Sequence, residues 1–77
     1  MSRLPVLSGK ALLKLLEKNG FRIVRQKGSH IFVERNDGAV STAVPVHANE
    51  DLGKGILKSV LRDLELSAED LERFMHS

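Results

Sequence analysis

The sequence predicts a small α+β fold of two layers, in which a three-stranded antiparallel sheet is covered on one face by helices. Three observations predict it. Apolar residues recur at helical spacing over 9–20 and again over 52–66; β-branched and alternating residues replace that spacing between Phe21 and Pro45; and short glycine-containing turns divide this middle stretch. At 77 residues the chain is expected to form one domain, 1–77, around a single modest core.

Each element follows in order. Ser8 is the expected N-cap of the first helix, because its hydroxyl can accept a bond from an amide just inside. Leu12, Leu15 and Leu16 then share an apolar face, Lys10, Lys14 and Lys18 fall four apart on another side, and Asn19-Gly20 supplies a left-handed stop. "FRIVRQ" and "HIFVER" read as two strands joined by turn chemistry at Lys27-Gly28-Ser29. Asn36-Asp37-Gly38 is a second turn, and "AVSTAVP" is a third strand ended by Pro45, which has no amide to donate. After the connector "VHANED", Ile56, Leu57, Val60, Leu61 and Leu64 form the apolar face of a second helix. Ser67 with Asp70 three residues on is a capping-box variant that opens a short acidic C-terminal helix, packing Leu71 and Phe74 or Met75. The order is that of a dsRBD-like α-β-β-β-α topology with one sheet face left open, and topology alone does not assign a function.

Composition narrows the classes. There is no cysteine, so neither a disulfide framework nor a thiolate metal site is expected, and the chain suits a reducing, cytoplasmic setting. No apolar run approaches the roughly 20 residues that a bilayer span needs, and "MSRLPVLSGK" lacks the apolar stretch of a signal peptide, so no membrane partner is expected. Charge is uneven: residues 1–35 hold eight Lys/Arg and two acids, residues 36–77 four Lys/Arg and eight acids. A basic half suits a polyanion such as RNA; the alternative is a solvated surface whose opposing fields cancel on folding.

Three histidines, His30, His47 and His76, form no close pair, so neither a metal site nor a cofactor is expected. No nucleophile elbow is present, and Gly53-Lys54-Gly55 is too short for a phosphate-binding P-loop. His30 is the residue with chemical potential, because imidazole can take and give a proton near neutral pH. Arg25 and Lys27 precede it, while the small Gly28 and Ser29 let a phosphodiester approach the backbone. RNA brings its own nucleophile, the 2′-hydroxyl, so cleavage needs a base, an acid and a cation at the phosphate. On the residues alone, an isolated histidine that simply opens a strand is the plainer alternative. His47 reads as a loop-anchoring residue and His76 as surface. Lys54, between two glycines at a helix start, suits a phosphate oxygen, although helix initiation without a ligand explains it equally. His30 and Phe32 share one strand face and Ile31 and Val33 the other; each face holds an apolar residue, which leaves open which of them is covered.

The stretches "SGKALLKLLEKNGF", "RQKGSHIFVERNDG" and "VPVHANEDLGKGILKSVLRDLEL", in that order and spacing, resemble the HicA toxins of type II toxin–antitoxin systems, from about Leu7 to Leu66. The resemblance implies the dsRBD-like fold, translation-independent cleavage of mRNA, and neutralisation by a HicB antitoxin that covers the active face. It carries the catalytic histidine of the Gly-Ser-His motif onto His30, with Gly28 and Ser29 shaping the turn. Two positions depart from the family pattern: Ala43 stands where Thr is frequent, and Ile56 where Gly-Thr-Leu is common. The expected function is therefore metal-independent endoribonuclease, with His30 as general base or acid and Lys10, Lys14, Lys18, Lys27 and Lys54 holding phosphates. The alternatives are a non-catalytic module for double-stranded RNA and a degenerate toxin that only binds its antitoxin.

Overall fold

In the computed structural model, which describes residues 4–48 and 50–76, Ser8 takes the extended backbone of an N-cap and its Oγ accepts the Ala11 amide at 3.1 Å. The helix it starts, α1, runs Gly9–Lys18. Leu12, Leu13 and Leu16 are its buried leucines; Leu15, expected among them, lies only partly buried at the edge of that face. Asn19 ends the helix, with its amide on the Leu16 carbonyl and its side chain on the Leu15 carbonyl, and Gly20 follows at φ +95°.

Strands β1 (Phe21–Lys27), β2 (His30–Arg35) and β3 (Ser41–Pro45) form an antiparallel sheet in the order β1-β2-β3, as the alternation and turns predict. Opposite residues are Lys27 and His30, Gln26 and Ile31, Arg25 and Phe32 on one side of β2, and His30 and Pro45, Ile31 and Val44, Phe32 and Ala43 on the other. The second turn is tied by Asp37, whose carboxylate accepts from the Arg35 guanidinium and the Ala39 amide. These bonds, the arginine first, hold the Asp37 carboxyl below its ordinary range.

The helix α2 spans Lys54–Asp63 and α3 spans Ala68–Met75. Both lie with α1 on one side of the sheet. The core is Leu12, Leu13 and Leu16 from α1, Phe21, Val33 and Val44 from the three strands, Leu57, Val60, Leu61 and Leu64 from α2 and its end, and Leu71 from α3. Ile56 was expected on the buried face of α2 and is instead 46% exposed. Leu57, Val60, Leu61 and Leu64 already complete an i, i+3, i+4, i+7 stripe, and one residue back rotates Ile56 by about 100° from Leu57, off that stripe.

The end of α2 is a motif the sequence hides. Glu65 takes φ +57°, its amide bonds the Arg62 carbonyl at 3.1 Å, and the Leu66 amide reaches back to the Leu61 carbonyl at 2.8 Å. This is a Schellman closure with glutamate where glycine is usual, so no glycine marks it in the sequence. Ser67 then opens α3 with a full capping box: its hydroxyl accepts the Asp70 amide, and the Asp70 carboxylate accepts the Ser67 amide at 2.8 Å.

Two outcomes are expected from these ends. Glu65→Gly relieves a left-handed backbone that costs a side-chain-bearing residue about 1 kcal/mol or more, and exceeds the added freedom of the unfolded chain, so urea unfolding should show a gain of up to about 1 kcal/mol. Asp70 is held below its ordinary range by the Ser67 amide first, then the Ser67 hydroxyl and Arg73. A depressed folded value stabilises above the unfolded value and is lost as pH falls through the folded one. Thermal midpoints of the wild type and Asp70→Ala should therefore differ at neutral pH and converge in strong acid, as the Asp70 carboxylate is protonated.

Candidate functional site

The hairpin between β1 and β2 turns on two residues. Gly28 has φ +59° and Ser29 does not share the positive sign, the pattern of a type II′ turn, which wants glycine first. The Gln26 side-chain Nε2 donates to the Gly28 carbonyl at 3.2 Å, and the Val46 backbone amide donates to the Ser29 carbonyl at 2.6 Å, so the turn is held from both sides. Pro45 stands opposite His30 and has no amide of its own; the next amide along reaches the turn instead. His30 is thereby placed as the first residue of the central strand β2, in the middle of one end of the sheet, with Lys27 beside it on one flank and Pro45 on the other.

The register decides its face. Ile31, Val33, Thr42 and Val44 form opposing pairs on the helix-covered side, where Val33 and Val44 are fully buried and the Thr42 hydroxyl donates to Asp63 of α2 at 2.8 Å. His30, Phe32 and Glu34 therefore point to the uncovered side. His30 is exposed there, and its imidazole makes no hydrogen bond or ion pair with any described residue. Phe32 is outside the core.

β1 adds three cations to the same face by an irregularity. Phe21 and Ile23 stand opposite Arg35 and Val33, and after a one-residue β-bulge at Val24 the pairing resumes with Arg25 opposite Phe32 and Lys27 opposite His30. In an unbroken strand Arg25 and Lys27 would share the face of Phe21 and Ile23, toward the helices. The bulge absorbs Val24 and turns both to the open side with Arg22, the re-aiming for which bulges are used. Arg22 is ion-paired with Glu34, its Nη2 2.5 Å from Oε1. The Arg25 guanidinium lies 4.5 Å from the centroid of the Phe32 ring.

The other expected contributors are distributed around this face. Gly28 and Ser29 form the turn beside His30. Gly9 is buried with its backbone against Pro45, where a Cβ would overlap the Pro45 carbonyl oxygen, and the Leu52 amide bonds the Leu7 carbonyl at 2.7 Å. These contacts bring the starts of α1 and α2 to the His30 end of the sheet, and Lys10 and Lys54 lie exposed in their first turns. Lys14 and Lys18 are not gathered with them. They border a groove of about 290 Å³ between α1 and α3, with Leu7, Ala11, Leu15 and Met75, in the helical layer. His47 is exposed two residues beyond the partner of His30, and His76 caps α3. Among the described residues no three His, Asp or Glu side chains are grouped so as to hold a metal ion, and no helix is long and apolar enough to cross a membrane.

Arg22, Arg25 and Phe32 complete the face and were not singled out as site residues from sequence. A signal exists in the doublet Ile23-Val24, which breaks the alternation begun at Phe21 and marks where the strand changes parity.

The chain matches the family model described as the HicA toxin of bacterial toxin–antitoxin systems over residues 9–66, which takes in α1, the whole sheet and α2. None of the curated proteins compared with it matches significantly.

The bulge gives a distinguishing outcome. Deleting Val24 leaves every pairing of β1 with β2 intact and closes the ladder regularly, so cooperative thermal unfolding by circular dichroism should survive with a modestly lower midpoint. Deleting Glu34, paired on both sides within the central strand, should abolish it. Loss of folding on deletion of Val24 would show that Val24 is an in-register strand residue.

Proposed function

The chain belongs to the HicA family of bacterial toxin–antitoxin toxins, and on that footing we propose that it is an endoribonuclease that cleaves mRNA on its open sheet face through His30. Membership makes the chain a toxin with an antitoxin as its counterpart. The observation that carries the finer reading is the exposed, unpartnered imidazole at the head of β2, with Lys27 directly across the strand pair and the Gly28-Ser29 turn beside it.

The chemistry follows from what RNA supplies. His30 accepts the proton of a 2′-hydroxyl, whose oxygen attacks the adjacent phosphorus; the bond from phosphorus to the 5′ oxygen breaks, that oxygen takes a proton from water as it leaves, and His30 returns its own proton to solvent. The products are a 2′,3′-cyclic phosphate and a 5′-hydroxyl. Lys27 offsets the negative charge that gathers on the phosphoryl oxygens, and Lys10 and Lys54 extend the positive rim at the same end. No metal enters this scheme. A HicB antitoxin neutralises the toxin by covering the same face, and the cytoplasm, where mRNA is met, is the place of action.

The test is cleavage of RNA by purified protein in EDTA, wild type against His30→Ala. The wild type should cut and leave cyclic phosphate ends, and His30→Ala should be slower by at least about 100-fold, the lower range of general acid–base catalysis. Because His30 is exposed, the variant should unfold at the wild-type temperature. Equal cleavage by both chains would remove His30 from the mechanism. RNA bound but uncut by the wild type would favour a binding module of the same fold.

A further inference from the structure

We propose that Arg25, laid against Phe32, is a phosphate-gripping residue that positions the RNA nucleotide next to the one cleaved at His30. This inference rests on the ribonuclease reading above and extends it to the site's own recognition of the strand.

The three arginines of the sheet differ in what holds them. Arg22 is neutralised by Glu34 and Arg35 by Asp37. Arg25 has no acidic partner among the described residues; its guanidinium lies over the ring of Phe32. Stacking on an aromatic face fixes the plane of a guanidinium while leaving its N–H edges free and its charge whole. A planar fork with fixed orientation and unspent donors matches phosphate oxygens, and its outer face suits an unstacked nucleobase.

Position supports the same ligand. The Arg25–Phe32 pair and the Lys27–His30 pair are neighbouring rungs on one face of one hairpin. Two residues along a strand is roughly 6.6 Å, the scale of one nucleotide step in an extended strand. A phosphate at His30 therefore leaves the neighbouring phosphate over Arg25. Phe32 touches no substrate in this arrangement; it is the positioning residue that keeps Arg25 flat. Nothing acidic competes at this rung, since the residue opposite Phe32 on β3 is Ala43.

The experiment measures binding of a single-stranded oligoribonucleotide of mixed sequence in the His30→Ala chain, across a salt series, and steady-state cleavage in the wild-type chain. Arg25→Ala should weaken binding roughly tenfold, as loss of a charge-assisted pair does, and lower the steepness of log affinity against log salt by about 0.7, one phosphate contact on a single strand. In cleavage the change should appear in KM more than in kcat. Phe32→Leu should move the same quantities in the same direction, and Phe32→Tyr, which keeps the ring, should restore them. Arg62→Ala, which removes the same charge from α2 in the helical layer, should leave all of them near the parent. Arg25→Ala binding like the parent with an unchanged salt slope would overturn the inference while leaving catalysis by His30 standing. An equal loss in Arg62→Ala would overturn it too, by reducing the effect to net charge. If His30→Ala cuts as well as wild type while Arg25→Ala still loses one phosphate contact, the catalytic reading falls and the phosphate site stands; a chain that binds no RNA overturns both.

Discussion

One displaced residue, Val24, sets the character of the molecule's two faces. A strand with strict alternation has one choice of parity for its whole length, and Phe21 must face the helices because it fills the core. That choice would carry Arg25 and Lys27 under the helices as well. By taking Val24 out of the ladder, β1 serves the core at its start and the open face at its end. The paired strand β2 needs no such device, since its parity runs unbroken from His30 to Arg35, with Ile31 and Val33 toward the helices and His30, Phe32 and Glu34 away from them.

The consequence is a division of labour within a very small fold. Stability is concentrated in one layer of contact, where each fully buried leucine contributes roughly 1.5–3 kcal/mol by burial of apolar surface. The other sheet face is released from packing and can be spent on polar groups. The same cations have a second effect. β1 and β3 are both edge strands, and an edge offers unpaired amides and carbonyls to other chains. A bulge and three cations on β1, and a proline closing β3, make both edges poor templates for pairing, so the charges of this face serve solubility whether or not RNA is present.

Legibility in the sequence followed the range of the interactions. The elements, the meander and both hairpin turns were readable because periodicity and glycine chemistry are local: Ser8, Asn19-Gly20, Gly28 and the Ser67-Asp70 box each act within four residues of themselves. His30 was readable as a candidate through its motif. Its face was not, because Phe32 and Val33 are equally apolar and only the burial of Val33 in the core separates them. Leu13 inside the core with Leu15 at its edge, and Ile56 outside it, are shifts of less than one residue in helical phase, which two facing layers correct. The lysine series on α1 looked like one stripe in sequence, yet only Lys10 starts at the His30 end, since a helix carries residues four apart about 6 Å along its axis. Arg25 was readable as a cation just before His30, but its place on the open face was not, because that requires a bulge, and its freedom requires knowing that Glu34 and Asp37 are already engaged elsewhere.

The charge asymmetry of the chain was open to two readings, a polarised surface or fields that cancel on folding, and the fold discriminates between them. Most of the acids of the C-terminal half belong to α2, α3 and the residues between them: Asp63, Glu65, Glu69, Asp70 and Glu72 lie in or beside the helical layer. Of the basic half, Arg22, Arg25 and Lys27 lie on β1, while Lys10, Lys14 and Lys18 lie on α1 in the same layer as those acids. The acids of the helical layer therefore have lysines for neighbours, and the open face keeps Arg25 and Lys27, with Glu34, the acid in its rungs, already committed to Arg22. Charges held on opposite sides of a low-dielectric core do not neutralise one another's fields at the surface as mixed neighbours do. A polyanion approaching the rungs of the open face meets Arg25, Lys27 and His30 there, and any protein that covers this face in its place must match that charge with acids of its own or bury it at a cost.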